Sequence, residues 1–136
     1  MSPNYVLIIT SLFFLTNVFC AISTNQYIYA FLSGLLIISS LINHYTYSDL
    51  TLNIDLFCVY LFVLYGGYTL YNKASLKHFY KISIIIIIFI FSIVVYNVGK
   101  VYNCFCFDKD QCIADCFHGL LHILSSFGHN IIILLD

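Results

Sequence analysis

The sequence predicts an all-α integral membrane protein, a single bundle of about five transmembrane helices. Two properties of the composition carry this prediction. Hydrophobic residues make up 62% of the 136 positions and charged residues only 8%, and the mean hydropathy is +0.97. An ordinary soluble domain is about half apolar and about one quarter charged, so this chain could not cover a water-exposed surface. The third observation is that the apolar residues fall into runs separated by short polar segments.

The apolar runs span residues 5–22, 27–42, 54–70, 82–98 and 113–135. A helix needs roughly 20 apolar residues to cross the hydrocarbon core of a bilayer. Each run is therefore long enough for one span, provided that the shorter helices tilt little. Because the connections are short, neighbouring helices must run antiparallel. We expect one transmembrane domain over residues 1–136, with no soluble domain beside it.

The first run has two interpretations. Cys20 and Ala21 are small residues near its end, as a signal peptidase requires. However, no lysine or arginine precedes the run, and it is long for the apolar region of a signal peptide. We therefore favour a first transmembrane helix, with a cleaved signal peptide as the alternative.

The distribution of lysines predicts the orientation. Residues 71–81 contain three lysines and no acidic residue, whereas the segments 43–53 and 99–111, on the opposite side, contain aspartates. The positive-inside rule places residues 71–81 in the cytoplasm and the N-terminus outside it. A multi-pass protein of an endomembrane such as the ER or Golgi, or of the plasma membrane, is expected. The net charge of −1 indicates no nucleic acid partner.

Five polar side chains fall at the extracytoplasmic ends of their runs: Ser40, His44, Asp55, His118 and His122. Ser40 and His44 are four residues apart, as are His118 and His122, so each pair shares a helix face. Asp55 is expected to open the third helix. An ionisable side chain at membrane depth is costly and therefore suggests a function. Taken singly, these residues have simpler explanations: interfacial histidines, a packing serine and an aspartate at a helix N-terminus.

Taken together, the five residues predict a zinc site. Two histidines at i and i+4 can bind one ion from adjacent helical turns. A third histidine from a facing helix would leave the fourth zinc position open for water, which is the catalytic pattern. We therefore expect His44, His118 and His122 as zinc ligands. Asp55 would accept the proton of the activated water, and Ser40 would donate to the oxyanion of a tetrahedral intermediate.

The pattern Ser40-x3-His44, Asp55 and His118-x3-His122 resembles the alkaline ceramidase branch of the CREST superfamily of membrane hydrolases. The spacing of eleven residues from His44 to Asp55 is similar to that of the ceramidases rather than the receptors of the superfamily. Residues 117–128 are similar to the last ceramidase helix. The resemblance implies zinc on the three histidines, with Asp55 and Ser40 as partners of the bound water and of a lipid amide substrate such as ceramide.

The chain departs from that family in two respects. Members usually have seven helices, whereas this chain has room for about five; losing two helices between the third and the last still lets all the ligands reach one side. A second copy could close the reduced cavity, so a homo-oligomer is an open alternative. The ceramidases also carry an acidic N-terminal cluster for calcium, whereas residues 1–22 contain no Asp or Glu. We therefore expect no calcium site of that type.

Four of the six cysteines form one cluster on the extracytoplasmic side: Cys104, Cys106, Cys112 and Cys116. One or two disulfides are expected there in an oxidising compartment. A second zinc site and free thiols are the alternatives. His129 shares a helical face with His122, but we expect it to pair with another helix rather than to bind the metal.

Three functions compete at this point. The leading hypothesis is a zinc-dependent amidase that cleaves a membrane lipid such as ceramide. A haem-binding bundle would need histidines that bracket the iron from two helices, and His118-x3-His122 on one helix fits that poorly. A non-catalytic, receptor-like or accessory membrane protein with a structural metal is the third, and it predicts that Asp55→Ala leaves the function intact.

Overall fold

The computed structural model describes residues 4–136 and is helical over most of that range. Its five long helices are α1 (Tyr5–Ser23), α2 (Tyr27–Thr46), α3 (Asp49–Lys73), α4 (Phe79–Tyr102) and α5 (Gln111–Ile133). Short 3-10 turns, Leu76–His78 and Phe105–Phe107, precede and follow α4. Each long helix is apolar and long enough to cross a membrane, which confirms the predicted fold class. Residues 1–3 of the predicted domain lie outside the described part of the chain.

The helices present an apolar exterior and bury a polar interior. Phe31 and Phe57 are 67% and 62% exposed, whereas Asn17, Ser33 and His44 are at most 1% exposed. Soluble proteins distribute these residue types the other way round. Lipid solvates apolar side chains but cannot hydrogen-bond to polar ones, so this distribution belongs to a membrane protein.

The helix that carries Asp55 starts earlier than predicted. α3 begins at Asp49 rather than at residue 54, because Ser48 and Thr51 form a capping box. In it, Ser48 Oγ accepts a hydrogen bond from the Thr51 backbone N–H at 3.1 Å, and Thr51 Oγ1 accepts one from the Ser48 N–H at 3.1 Å. Asp55 therefore lies in the second turn of α3, and the expectation that it opens the helix is wrong.

Most of the other helices are also longer than their apolar runs, by one to four residues at an end. α2 continues to Thr46 instead of residue 42, and α4 covers Phe79–Tyr102 instead of 82–98. α5 begins at Gln111, where Asp110 Oδ1 accepts a hydrogen bond from the Cys112 N–H at 2.9 Å, and it ends at Ile133 instead of residue 135. Hydropathy detects the part of a helix that lies in lipid, whereas caps form in the polar interface.

α5 packs against three of the other long helices: α1, α4 and, over a shorter stretch, α3. α2 packs between α1 and α3, whereas α3 and α4 are not packed along each other. In the interior, the ring of Phe62 meets those of Phe14 and Tyr29 edge to face, at centroid distances of 5.7 and 5.6 Å.

Polar side chains join α1 to α5 where α1 is interrupted. A 3-10 turn, Leu12–Phe14, divides α1, and the Phe13 carbonyl accepts hydrogen bonds from Ser126 Oγ of α5 at 2.9 Å and from Thr16 Oγ1 of α1 at 2.7 Å. Asn17 Nδ2 donates to the Ser126 carbonyl at 2.8 Å and to Asn130 Oδ1 at 2.9 Å. Interhelical hydrogen bonds of this kind hold membrane helices in register, since lipid offers no competing partner.

Candidate metal centre

Three histidines from two helices converge at one end of the bundle. His44 comes from the last turn of α2, and His118 and His122 come from consecutive turns of α5. One ring nitrogen of each lies within 4.8 Å of the corresponding nitrogen of the other two. The centroid distances are 5.2 Å from His44 to His118, 5.3 Å from His44 to His122 and 4.8 Å from His118 to His122. The structure thus brings together the three residues that the sequence selects as metal ligands.

The Nε2 atom of His44 is buried and lacks a partner. The residue is 1% exposed, and Nε2 has no hydrogen bond to any of residues 4–136. Within that part of the chain it is the one buried side-chain nitrogen or oxygen left unsatisfied. An unpaired buried polar atom costs about 1–3 kcal/mol. A metal ion bound to this nitrogen would remove that cost.

The spacing of the three nitrogens fits a zinc ion. Zinc–nitrogen bonds of about 2.0–2.1 Å in tetrahedral geometry place the ligand nitrogens about 3.3 Å apart. Because all three nitrogens already lie within 4.8 Å of one another, modest side-chain rotations would close the remaining distance. Neutral imidazole is also a donor that zinc favours.

Asp55 is held beside the histidines by three donors from α2. Ser39 Oγ and Ser40 Oγ donate to Asp55 Oδ1 at 2.9 and 2.6 Å, and Asn43 Nδ2 donates to Oδ2 at 3.3 Å. Ser40 lies one helical turn before His44 on the same face of α2, so the carboxylate that it binds is on the side of α2 that carries His44. The three hydrogen bonds orient a side chain that is only 7% exposed.

A second carboxylate, Asp115, lies one turn before His118 and was not selected from the sequence. Its Oδ1 accepts hydrogen bonds from Asn4 Nδ2 and Gln111 Nε2, both at 2.6 Å. Asn4 also donates its backbone N–H to the His44 carbonyl at 3.1 Å. Asp115 therefore ties the start of α1 and the end of α2 to the histidine helix. The sequence pattern that could have identified Asp115 is its i, i+3 spacing from His118, which places both residues on one helix face.

Two hydroxyls of α1 contact the third histidine. Thr10 Oγ1 lies 3.0 Å and Ser11 Oγ 3.4 Å from His122 Nδ1. This contact was not predicted, because the first run of residues reads as a plain apolar helix. The adjacent polar residues Thr10 and Ser11 inside an apolar run were the available signal, because polar groups at membrane depth need partners.

His129 lies outside the metal cluster and pairs with another helix, as predicted. Its Nδ1 is hydrogen-bonded to the hydroxyl of Tyr29 on α2, and its ring stacks on Phe62 of α3 at a centroid distance of 3.9 Å. Gly66, one turn after Phe62 on α3, leaves the space that this ring occupies. The contact joins three helices below the candidate metal centre and gives His129 a structural role.

Gly66→Ala is expected to destabilise the protein by about 1–3 kcal/mol, the usual cost of overpacking. A Cβ at this position would lie 2.5 Å from His129 Cε1 and 2.8 Å from its Nδ1, so the ring would have to move. Thermal unfolding in detergent, followed by circular dichroism, measures the effect. Gly67→Ala is the matched control, since its Cβ meets nothing within 4 Å and alanine favours the helix. Equal unfolding temperatures for the two variants would show that the His129 site tolerates the methyl group.

The cysteine cluster lies at the same end of the molecule as the histidines. Cys104 precedes the 3-10 turn after α4 and Cys106 is its middle residue, and Cys112 and Cys116 lie in the first turns of α5. All four are free thiols in the structure. The disulfides expected in an oxidising compartment stay a prediction.

The fold and the site together define a class: a membrane protein with five apolar helices and a candidate three-histidine metal centre near one end of the bundle. Comparisons with protein-family models, with curated proteins and with solved structures found no match to this chain. The resemblance to the alkaline ceramidases therefore stays a prediction.

Proposed function

We propose that this protein is a zinc-dependent membrane hydrolase that cleaves a lipid amide such as ceramide. The observation that carries the proposal is the convergence of His44, His118 and His122, with one buried imidazole nitrogen left without a partner. The Asp55 carboxylate accepts a hydrogen bond from Ser40, which lies one helical turn before His44. Three neutral nitrogen ligands and an adjacent acid–base group are the components of a catalytic zinc site.

His44, His118 and His122 would hold the metal. Zinc, when bound, supplies Lewis acidity and lowers the pKa of water to about 7. Because residues 4–136 offer three histidines and no fourth ligand in this group, one position would stay free for water or substrate. Neither Asp55 nor Asp115 belongs to the group of side chains whose ligand atoms lie within 4.8 Å of one another.

Asp55 would move the proton during hydrolysis. The attacking water gives its oxygen to the amide carbon and a proton to the Asp55 carboxylate, and that proton passes to the nitrogen as the C–N bond breaks. Ser39, Ser40 and Asn43 hold the carboxylate in place through three hydrogen bonds. In the structure Ser40 donates to Asp55; its role as a donor to the oxyanion stays a prediction.

The position of the site supports a lipid as the substrate. The histidines are near one end of apolar helices, where the acyl chains of a lipid and water meet, and a lipid amide has its scissile bond at that boundary. Lys73, at the opposite end, donates to the carbonyls of Ile132 and Ile133 at 3.3 and 2.8 Å. If the lysine-rich segment is cytoplasmic, the site faces the lumen of the ER or Golgi, or the outside of the cell.

Metal analysis and a hydrolysis assay on the purified full-length protein test the proposal. We expect about one zinc per chain and release of fatty acid and sphingoid base from ceramide in mixed micelles. A matched ester lipid tests the preference for amides. A strong Soret band in place of zinc would favour a haem-binding bundle. Stoichiometric zinc without cleavage of any lipid amide would favour an accessory protein with a structural metal.

A further inference from the structure

The contact between α1 and His122 specifies where the protons of three groups lie. Thr10 Oγ1 is 3.0 Å from the Val6 carbonyl oxygen and 3.2 Å from that of Leu7. Ser11 Oγ is 2.7 Å from the Leu7 carbonyl oxygen. Each hydroxyl thus has a backbone carbonyl of its own helix to which it can donate its single proton.

A count of donors then favours one tautomer of His122. If Nδ1 carried no proton, Thr10 or Ser11 would have to turn its hydroxyl away from a backbone carbonyl to donate to the ring. If Nδ1 carries the proton, both hydroxyls keep their carbonyl bonds, and Nδ1–H donates to Thr10 Oγ1 at 3.0 Å. The second arrangement satisfies more groups in an interior where no lipid atom can replace a lost hydrogen bond.

Gly119 makes this approach of the two helices possible. A Cβ on Gly119 would lie 3.0 Å from Thr10 Cγ2 and 3.3 Å from Thr10 Oγ1. Any larger residue would therefore push Thr10 away from the helix that carries the histidine. The small residue stands three positions before His122, on the turn that faces Thr10.

We infer that Thr10 and Ser11 are positioning residues that fix His122 in the Nδ1–H tautomer and leave the Nε2 lone pair free to bind a metal ion. The consequence for catalysis rests on the proposed function, whereas the tautomer itself does not. A metal-binding histidine commonly donates its other N–H to a neighbouring group, which sets the orientation and basicity of the ring. Here α1, which supplies none of the three histidines, provides the acceptor for the Nδ1–H of His122.

Nitrogen NMR of isotope-labelled histidine in the metal-free, full-length protein tests the inference directly. At about pH 8, where an ordinary imidazole is neutral, His122 is expected to show protonated Nδ1 and unprotonated Nε2. The His122→Gln variant assigns its signals. The double variant Thr10→Val, Ser11→Ala should give a mixture of tautomers, because Nδ1 loses both acceptors. With serine instead of valine at position 10, the variant Thr10→Ser, Ser11→Ala should again show protonated Nδ1 and unprotonated Nε2, as in the wild type.

Zinc affinity provides the second measurement. The loss of an outer hydrogen-bond partner typically weakens metal binding about 10- to 100-fold, and we expect a loss in that range for the double variant. Ser23→Ala removes a hydroxyl at the other end of α1 that bonds to its own helix at Cys20, and it should change neither measurement.

Two outcomes would overturn the inference: protonated Nε2 in the wild type, or an unchanged tautomer and unchanged zinc affinity in the double variant. If the double variant does not fold, the Thr10→Val single variant takes its place in both measurements. Valine has nearly the same shape as threonine, so this variant is expected to fold. A wild-type protein that shows protonated Nδ1 but binds no zinc would reject the proposed hydrolase and leave the tautomer assignment standing.

Discussion

Replacing His44 by alanine is expected to abolish zinc binding and lipid amide hydrolysis together. His44 is the one histidine of the cluster that α2 supplies, so its loss would leave two histidines on one helix as the remaining candidate ligands. Loss of an outer partner already weakens metal binding about 10- to 100-fold, so removal of a ligand should cost more than about 100-fold. Titration with zinc under competition from a chelator measures this affinity.

His78→Ala is the control for the His44 experiment. His78 lies before α4 at the opposite end of the bundle, where its Nε2 contacts the Asp136 carbonyl oxygen at 3.1 Å. Its loss should leave zinc content and turnover unchanged. Full zinc occupancy in His44→Ala would show that the three nitrogens do not share one ion and would remove the basis of the proposed function.

Asp55→Asn is expected to lower the turnover number by about 10²- to 10⁴-fold, the usual contribution of general acid–base catalysis. The amide keeps the shape of the side chain but cannot accept a proton, so zinc should stay bound. Parallel measurement of zinc content and of ceramide cleavage separates a catalytic defect from a structural one.

Asp49→Asn is the matched control for this change. Asp49 is an exposed aspartate in the first turn of the same helix, six residues before Asp55, and its neutralisation should leave the turnover number unaltered. A variant Asp55→Asn that keeps both its zinc and its biological function would favour the accessory protein over the hydrolase.

The sequence was sufficient to predict the helices but not their ends. Five apolar runs were visible because lipid selects for hydropathy over a full membrane span. The boundaries lay in the polar interface, where hydrogen bonds of residues such as Ser48 and Asp110 decide them. This is why Asp55 was placed at the start of a helix that in fact begins at Asp49.

The three histidines of the candidate centre could be selected from the sequence, and the groups around them could not. His118 and His122 share a face by spacing alone, and His44 lies at the same depth by helix geometry, so their convergence was a reasonable expectation. The partners of those residues depend on which faces of α1, α2 and α5 meet. Hydropathy contains no such information, and therefore Thr10, Ser11 and Asp115 were missed.

For Ser40, the position on the helix could be predicted from the sequence, but the hydrogen-bond partner could not. Its spacing from His44 placed it correctly on the inner face of α2, where it is 2% exposed. Whether its hydroxyl points to a substrate or to a neighbouring side chain depends on the position of α3. In the structure α3 brings Asp55 within 2.6 Å of it, and the two residues form one unit.

The hydrogen bonds between α1 and α5 bear on how the chain must be matured. Proteolytic removal of α1 would deprive Ser126, Asn130 and Nδ1 of His122 of their hydrogen-bond partners on α1. Each unpaired polar group in the hydrocarbon region would cost several kcal/mol. It would also remove the tie from Asn4 to Asp115. The candidate centre is therefore whole only in a chain that retains its first helix.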